Sequence, residues 1–143
     1  MSVESRVVWM PGGLCTEIHL TAEDTDGVFC LVVDHPPAGW SLPAHFHHNE
    51  AETIHVIKGK FVMDLDGTQS LLTAGQTVHV PRGLIHSSAN VGQQPGQRVV
   101  IFSPAGMERF FVEAGAPGPD AEIDLAAALA SATRHGWEFI TQR

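Results

Sequence analysis

Nine histidines in a chain without a single tyrosine are the first chemical signal in this sequence. The densest stretch is Gly39-Trp40-Ser41-Leu42-Pro43-Ala44-His45-Phe46-His47-His48-Asn49-Glu50-Ala51-Glu52. His45 and His47 are two residues apart, and on a β-strand such residues share a face, so both imidazoles can reach one ion. Glu52 opens the following apolar run and can add a carboxylate oxygen, with Glu50 as its rival. A second stretch, containing Gly75, Pro81, Gly83, His86 and Asn90, supplies a fourth candidate in His86. Three imidazoles and one carboxylate suit one divalent transition metal ion such as Fe, Mn, Ni, Co, Cu or Zn. Water or substrate would fill the open positions that metal-ion catalysis requires. His48 follows His47 directly, so alternation turns it away from the ion. His55 and His79 lie on strands whose facing the sequence leaves open, and they are candidate proton carriers. His19, His35 and His135 fit no pattern.

Strands and turns must place these groups. Short apolar or alternating runs occur at 6–9, 16–20, 28–34, 53–57, 60–65, 69–72, 77–80, 85–89 and 98–102. Pro/Gly/Asp clusters separate them, and Asp66-Gly67 between two alternating runs predicts a tight hairpin. Many short strands at turn-spaced intervals indicate an all-β sandwich or barrel over residues 1–103. Residues 104–143 read as a helical C-terminal appendage. There Ser103-Pro104 fits a helix start, Gly115 an end, and Leu125, Leu129 and Ala132 the inner face of a second helix. Gly136 stands where that helix would be capped.

The composition sets limits. With 143 residues, 43% hydrophobic and 17% charged, the chain has the balance of one globular domain. A net charge of −8 argues against nucleic acid or an anionic membrane as the main partner. Cys15 and Cys30 form no disulfide framework and read as small buried hydrophobes. The apolar run Val7–Met10 is too short for a signal-peptide core, and no stretch approaches the roughly 20 apolar residues of a membrane span, so the expected location is cytoplasmic.

Gly39, His45, His47, Glu52 and Gly59 form G-x5-H-x-H-x4-E-x6-G. Gly75, Pro81, Gly83, His86 and Asn90 form G-x5-P-x-G-x2-H-x3-N. These resemble the two motifs of the cupin superfamily at every specified position. The resemblance implies a double-stranded β-helix, or jelly-roll barrel, with His45, His47, Glu52 and His86 as the metal ligands. It also favours Glu52 over Glu50, because Glu52 has the motif spacing to Gly59.

The stretch His45–Glu52, with Ser103-Pro104-Ala105-Gly106-Met107-Glu108-Arg109-Phe110-Phe111, looks like small quercetin-dioxygenase-like cupins. An aromatic residue often stands three after the ligand glutamate in those sequences, whereas here the position is His55. An apolar pocket above the metal is expected from Ile54, Val56, Phe61, Met63 and Leu65, suited to a small aromatic substrate. The leading expectation is a dioxygenase with Glu52 as proton acceptor. The alternatives are a Lewis-acid polyketide cyclase using His55 or His79, and a ligand-binding module without turnover. The resemblance also implies a homodimer, and the apolar N-terminal strand offers an edge for it.

Overall fold

Alternation of apolar and polar residues decides which side of each strand turns inward, and most of the chain follows it. The computed structural model describes residues 5–140. Its strands are β1 (Arg6–Met10), β2 (Leu14–Leu20), β3 (Cys30–His35), β4 (Ser41–His47), β5 (Ala51–Lys58), β6 (Lys60–Leu65), β7 (Thr68–Thr73), β8 (Thr77–Val80), β9 (His86–Asn90), β10 (Gln97–Ser103) and β11 (Trp137–Phe139). The helices are α1 (Ala22–Thr25), α2 (Met107–Ala114) and α3 (Leu125–Arg134). One antiparallel sheet runs β1-β2-β3-β10-β5-β8, and the other runs β11-β4-β9-β6-β7. Together they form the expected all-β jelly roll. Asp66 and Gly67 both have positive φ and join Leu65 to Thr68 in a two-residue hairpin, as the sequence predicts.

The core is filled by side chains from both sheets. Ile54, Val56, Phe61 and Met63 are each at most 1% exposed. The pocket expected above the metal from these residues is therefore core, because a barrel this narrow is filled by its inward side chains. Asp34 and Arg98 are also buried there. Arg98 Nε and Nη2 donate to Asp34 Oδ1 and Oδ2 at 2.9 and 2.7 Å, and Nη1 donates to Ser88 Oγ at 3.2 Å. The guanidinium lies 4.9 Å from the Trp40 ring and 5.1 Å from the Phe61 ring. Its charge is thus paired, hydrogen-bonded and covered by aromatic faces, the conditions under which a buried ion is tolerated.

The C-terminal third departs from expectation in three ways. Ser103 does not cap a helix. It stays in the β10–β5 ladder opposite Ala51, its hydroxyl donates to Val28 O at 3.0 Å, and α2 starts only at Met107. Leu125 and Leu129 are not the inner face of α3, being 58% and 46% exposed. The small residues Ala128, Ser131 and Ala132 pack inward instead, which lets α3 lie close to α2. The segment is also not purely helical. After Gly136 the chain adds β11 to the edge of β4, so the expected division at residue 103 does not interrupt the sheet. Gly136 has φ +79°, and a Cβ there would stand 2.5 Å from Asn49 Nδ2, so this turn requires glycine.

The outer edge of β1 is partly covered. Trp9 exchanges two backbone hydrogen bonds with Ala116, at 2.8 and 2.9 Å, while Val7 stays exposed. Among the described residues, no helix is long and apolar enough to cross a membrane.

Candidate metal centre

Both sheets contribute to the site. In β4, alternation buries His45 and His47 and turns Phe46 outward. His86 begins β9 directly opposite His45 in the ladder. Glu52 projects inward from β5, in the facing sheet. One ligand atom from each of these four residues lies within 4.8 Å of the others, and all four residues are buried. The turn at Pro81–Gly83 couples the two motifs. Gly83 has φ +82°, and its N–H donates to His47 O at 3.0 Å, so the second motif is fastened to the end of the first.

Backbone carbonyls fix the histidine tautomers. His45 Nδ1–H donates to Pro43 O at 2.8 Å, and His86 Nδ1–H donates to Leu84 O at 2.9 Å. A carbonyl only accepts, so each neutral ring carries its hydrogen on Nδ1 and presents the Nε2 lone pair to the cluster. Both nitrogens of His47 are buried without a hydrogen-bond partner among the described residues. Its Nε2 lies 3.3 Å from Glu52 Oε1, at ion-pair distance but without hydrogen-bond alignment, and His86 Nε2 lies 3.1 Å from the same oxygen. Nitrogens and a carboxylate turned toward one point attract a positive charge between them, a proton or a cation. A divalent cation meets that need, so these residues fit a metal ion.

The electrostatics keep His45 and Glu52 in their ligating forms. Burial, reinforced by the charge of His86, pushes His45 down to about 4, which keeps it neutral as a ligand must be. Burial alone would raise Glu52, but the His47 and His86 imidazoles hold it well below the usual carboxylate range. Burial would lower His86, yet the hydrogen bond to Glu52 and its charge raise it, so without a metal a proton on Nε2 is favoured where the cation would sit, and metal binding must displace it.

The other candidates lie apart. Thr53, His55 and Ile57 face outward from β5, opposite to Glu52, Ile54 and Val56. His55 Nδ1 pairs with Thr77 Oγ1 at 2.7 Å, and His79 Nδ1 with Thr53 Oγ1 at 2.9 Å, both on the exposed side of that sheet. Period-two alternation therefore places both on the opposite face of the sheet from the cluster, and as proton carriers at the metal they are set aside. Glu50, in the β4–β5 connection, is buried with one oxygen unpartnered but lies outside the four-ligand group. His48 is exposed and meets Glu138 of β11 at 3.1 Å. Asn90 acts structurally, its amide donating to Pro36 O, Pro37 O and Gln94 O.

Sequence reasoning missed Trp137. Its ring stacks on His45 at 4.9 Å and meets His47 edge-on at 4.7 Å. The signal was present in Trp137 and Phe139, two apolar residues at strand spacing immediately after a helix-capping glycine.

Comparison with known proteins agrees with this geometry. The chain is 30% identical over 95 residues to quercetin 2,3-dioxygenase of Bacillus subtilis (strain 168), covering 66% of this chain and 28% of that protein. It is 31% identical over 85 residues to polyketide synthase CurC of Streptomyces cyaneus, covering 59% of this chain and 54% of that protein. The chain thus spans about a quarter and about half of these two relatives. Among solved structures, an RmlC-like cupin from Shewanella frigidimarina NCIMB 400 superposes with a TM-score of 0.64 at 23% identity, over 74% of this chain and 89% of that one. Residues 31–102 match the family described as Cupin domain, and with both histidine motifs inside that match, this chain belongs to the cupin family.

Proposed function

We propose that this chain is a metal-dependent cupin enzyme, a dioxygenase acting on a small aromatic or enolic molecule of the flavonol type. One observation carries the reading: three imidazoles and a carboxylate converge in a buried site, two of the rings held by backbone carbonyls in the ligating tautomer. A divalent transition ion, when bound, would supply Lewis acidity toward a substrate oxygen.

The protein's own residues do the rest. His45, His47 and His86 would hold the cation without adding charge. Glu52 would offset part of its charge, and a carboxylate oxygen of Glu52 would accept the enol or phenol proton. Phe102 packs edge-on against His47 with ring centroids 5.5 Å apart, and Trp137 covers His45, so bulk water is kept from the ligands. His55 and His79 take no part.

The likeness to a dioxygenase of Bacillus subtilis supports oxygen chemistry. The likeness to a polyketide synthase supports a second reading, a non-oxidative cyclisation of a polyketide in which Glu52 moves the proton. An oxygen electrode separates them, using metal-loaded protein and a panel of flavonols and enolic polyketides. Substrate loss with oxygen uptake supports the first, substrate loss without it the second, and no loss of any substrate overturns both. The homodimer belongs to the same proposal, through the exposed part of β1, and a monomer mass in light scattering would overturn it.

A further inference from the structure

The four candidate ligands are closed off, none being more than 8% exposed. A cation must pass whatever covers them. β4, β5, β9 and β10 each pair on both sides, so moving any of them breaks two ladders. β11 is an edge strand three residues long, paired to β4 alone. Yet its rings cover the ligands. Trp137 lies 4.9 Å from the His45 ring and 4.7 Å from the His47 ring, and Phe139 lies 5.7 Å from His45.

The segment that carries β11 is lightly anchored. α3 buries Ala128, Ser131 and Ala132, all small, and leaves Leu125 and Leu129 exposed. Few buried apolar contacts mean a low cost of local opening. Its tie to α2 is polar and exposed: Glu113 accepts from Ser131 Oγ at 3.1 Å and meets Arg134 and His135. Upstream, Ala116 is held to Trp9 by two backbone hydrogen bonds, and Asp124 caps α3. Residues 117–123 between them form no helix or strand.

The closed position also carries a cost. Among the described residues, both nitrogens of His47, Glu50 Oε1 and Trp137 Nε1 are buried without a hydrogen-bond partner. These atoms follow the seam between the C-terminal segment and the site. Trp137 is opposite His47 in the ladder, and Gly136 packs against Asn49, next to Glu50. Unpaired buried polar groups are costly, and opening would give them water. A cation would instead give His47 Nε2 a partner, so occupancy favours closure.

We propose that α3 and β11 form a lid on the metal centre, hinged at residues 117–123, which lifts to admit the cation and closes over it. The lid rests on the metal reading of the four ligands, not on the reaction.

A disulfide can lock it without touching the ligands. Phe46 and Glu138 are directly opposite in the β4–β11 ladder and point away from the site. Phe46→Cys/Glu138→Cys is made with Cys15→Ser, so that the half-buried Cys15 thiol cannot compete. Co²⁺ uptake by the metal-stripped protein is followed by its visible absorption. The oxidised protein should load about tenfold or more slowly than the same protein reduced with a phosphine, to the same final content. Glu113→Ala unties α3 from α2 and should speed loading severalfold. Hydrogen exchange on the wild type is the second measurement. The His48 and Ile140 amides donate to Gly136 O and Ala44 O across the seam. They should exchange faster than the amides of β10, and Co²⁺ should slow them more than it slows β10.

Equal loading of the oxidised and reduced protein overturns the lid. So does exchange at His48 and Ile140 as slow as in β10. Where thiol titration shows that the bond has not formed, unchanged loading of Glu113→Ala overturns it. A wild type that takes up no Co²⁺ refutes the metal centre and the lid with it, whereas equally fast loading of the locked protein refutes the lid alone.

Discussion

The indole of Trp137 lies on the imidazole of His45, with ring centroids 4.9 Å apart and planes within 25° of parallel. The contact follows from strand pairing. β11 docks on β4 with Trp137 opposite His47 and Phe139 opposite His45, so the strand that carries two candidate ligands is the strand the C-terminal segment covers. His48 and Glu138 meet beside it, and Glu113 ties α2 to Ser131, Arg134 and His135 of the following helix and its cap.

That contact makes Trp137 an internal reporter of metal binding. Cu²⁺ or Co²⁺ titrated into metal-stripped protein should quench tryptophan emission, because the open-shell ion would sit one imidazole away from the indole. The other two tryptophans lie elsewhere: Trp9 on β1 and Trp40 against Arg98. In Trp137→Phe most of the quenching should vanish while metal content is kept. Equal quenching in that variant would contradict the assigned geometry.

Metal loading tests the centre itself. Protein purified without chelator should carry about one divalent ion per chain. His47→Ala should lose most of it, since both nitrogens of that ring lack a hydrogen-bond partner among the described residues. The fold should persist, because the core beneath the ligands is apolar and does not depend on an ion. Elemental analysis with circular dichroism on the same sample checks both. Full occupancy in His45→Ala/His47→Ala would refute the site.

How much of this was legible in the sequence depends on how local each signal is. The His45/His47 pair is legible because two residues on one strand share a face whatever the rest of the chain does. The facing of His55 was not legible. It depends on Glu52 being inward, and the sequence fixes that only once the strand's phase is known. β11 was hidden for another reason. A three-residue strand has too little periodicity to register, and only its pairing with β4 makes it one. Leu129 was misread because a leucine at helical spacing normally faces the core. Here the smaller Ala128 and Ala132 do so, leaving Leu129 exposed.

The Asp34–Arg98 pair was likewise invisible, since its partners are far apart in sequence and join only through the β3–β10 ladder. Removing one member leaves a buried charge alone, so Asp34→Ala should cost about 3–5 kcal/mol in urea unfolding. Replacing both, as Asp34→Leu/Arg98→Met, should cost clearly less. A double variant as unstable as the single would show that the aromatic contacts of Arg98, not its charge, dominate.

Acid should destabilise the metal-stripped protein in a defined window. His45 titrates near 4 in the fold and at about 6.5 when unfolded, so between those values only the unfolded chain takes up this proton. Stability therefore falls as pH drops from 6.5 to 4, by at most about 3 kcal/mol. His86, raised by Glu52, acts above that window. Its contribution is complete below 6.5 and is lost as pH rises through its folded value. Glu52, depressed in the fold, acts below the window, its contribution present above 4.5 and lost as pH falls further. Urea midpoints of wild type and His45→Asn across pH 4–6.5 check the assignment, because the variant should lack this slope.

The chemistry turns on Glu52, which serves as ligand and as proton acceptor in the proposed reaction. Glutamine keeps the shape and one ligating oxygen but is a very poor base. Glu52→Gln should keep much of its metal and lose roughly 10²–10⁴-fold in turnover, the usual value of a positioned base. If Glu52 were only a ligand, metal affinity would fall first, and excess metal would restore activity. No other inward-facing carboxylate belongs to the four-ligand group, and His55 and His79 point out of the barrel, so neither histidine can take over. Metal content and turnover must be measured on one sample, because only their ratio separates the two roles. Near-normal turnover at full occupancy would remove Glu52 as the base. Glu50 would then be the remaining buried carboxylate near the site to examine, by the same pair of measurements on Glu50→Gln.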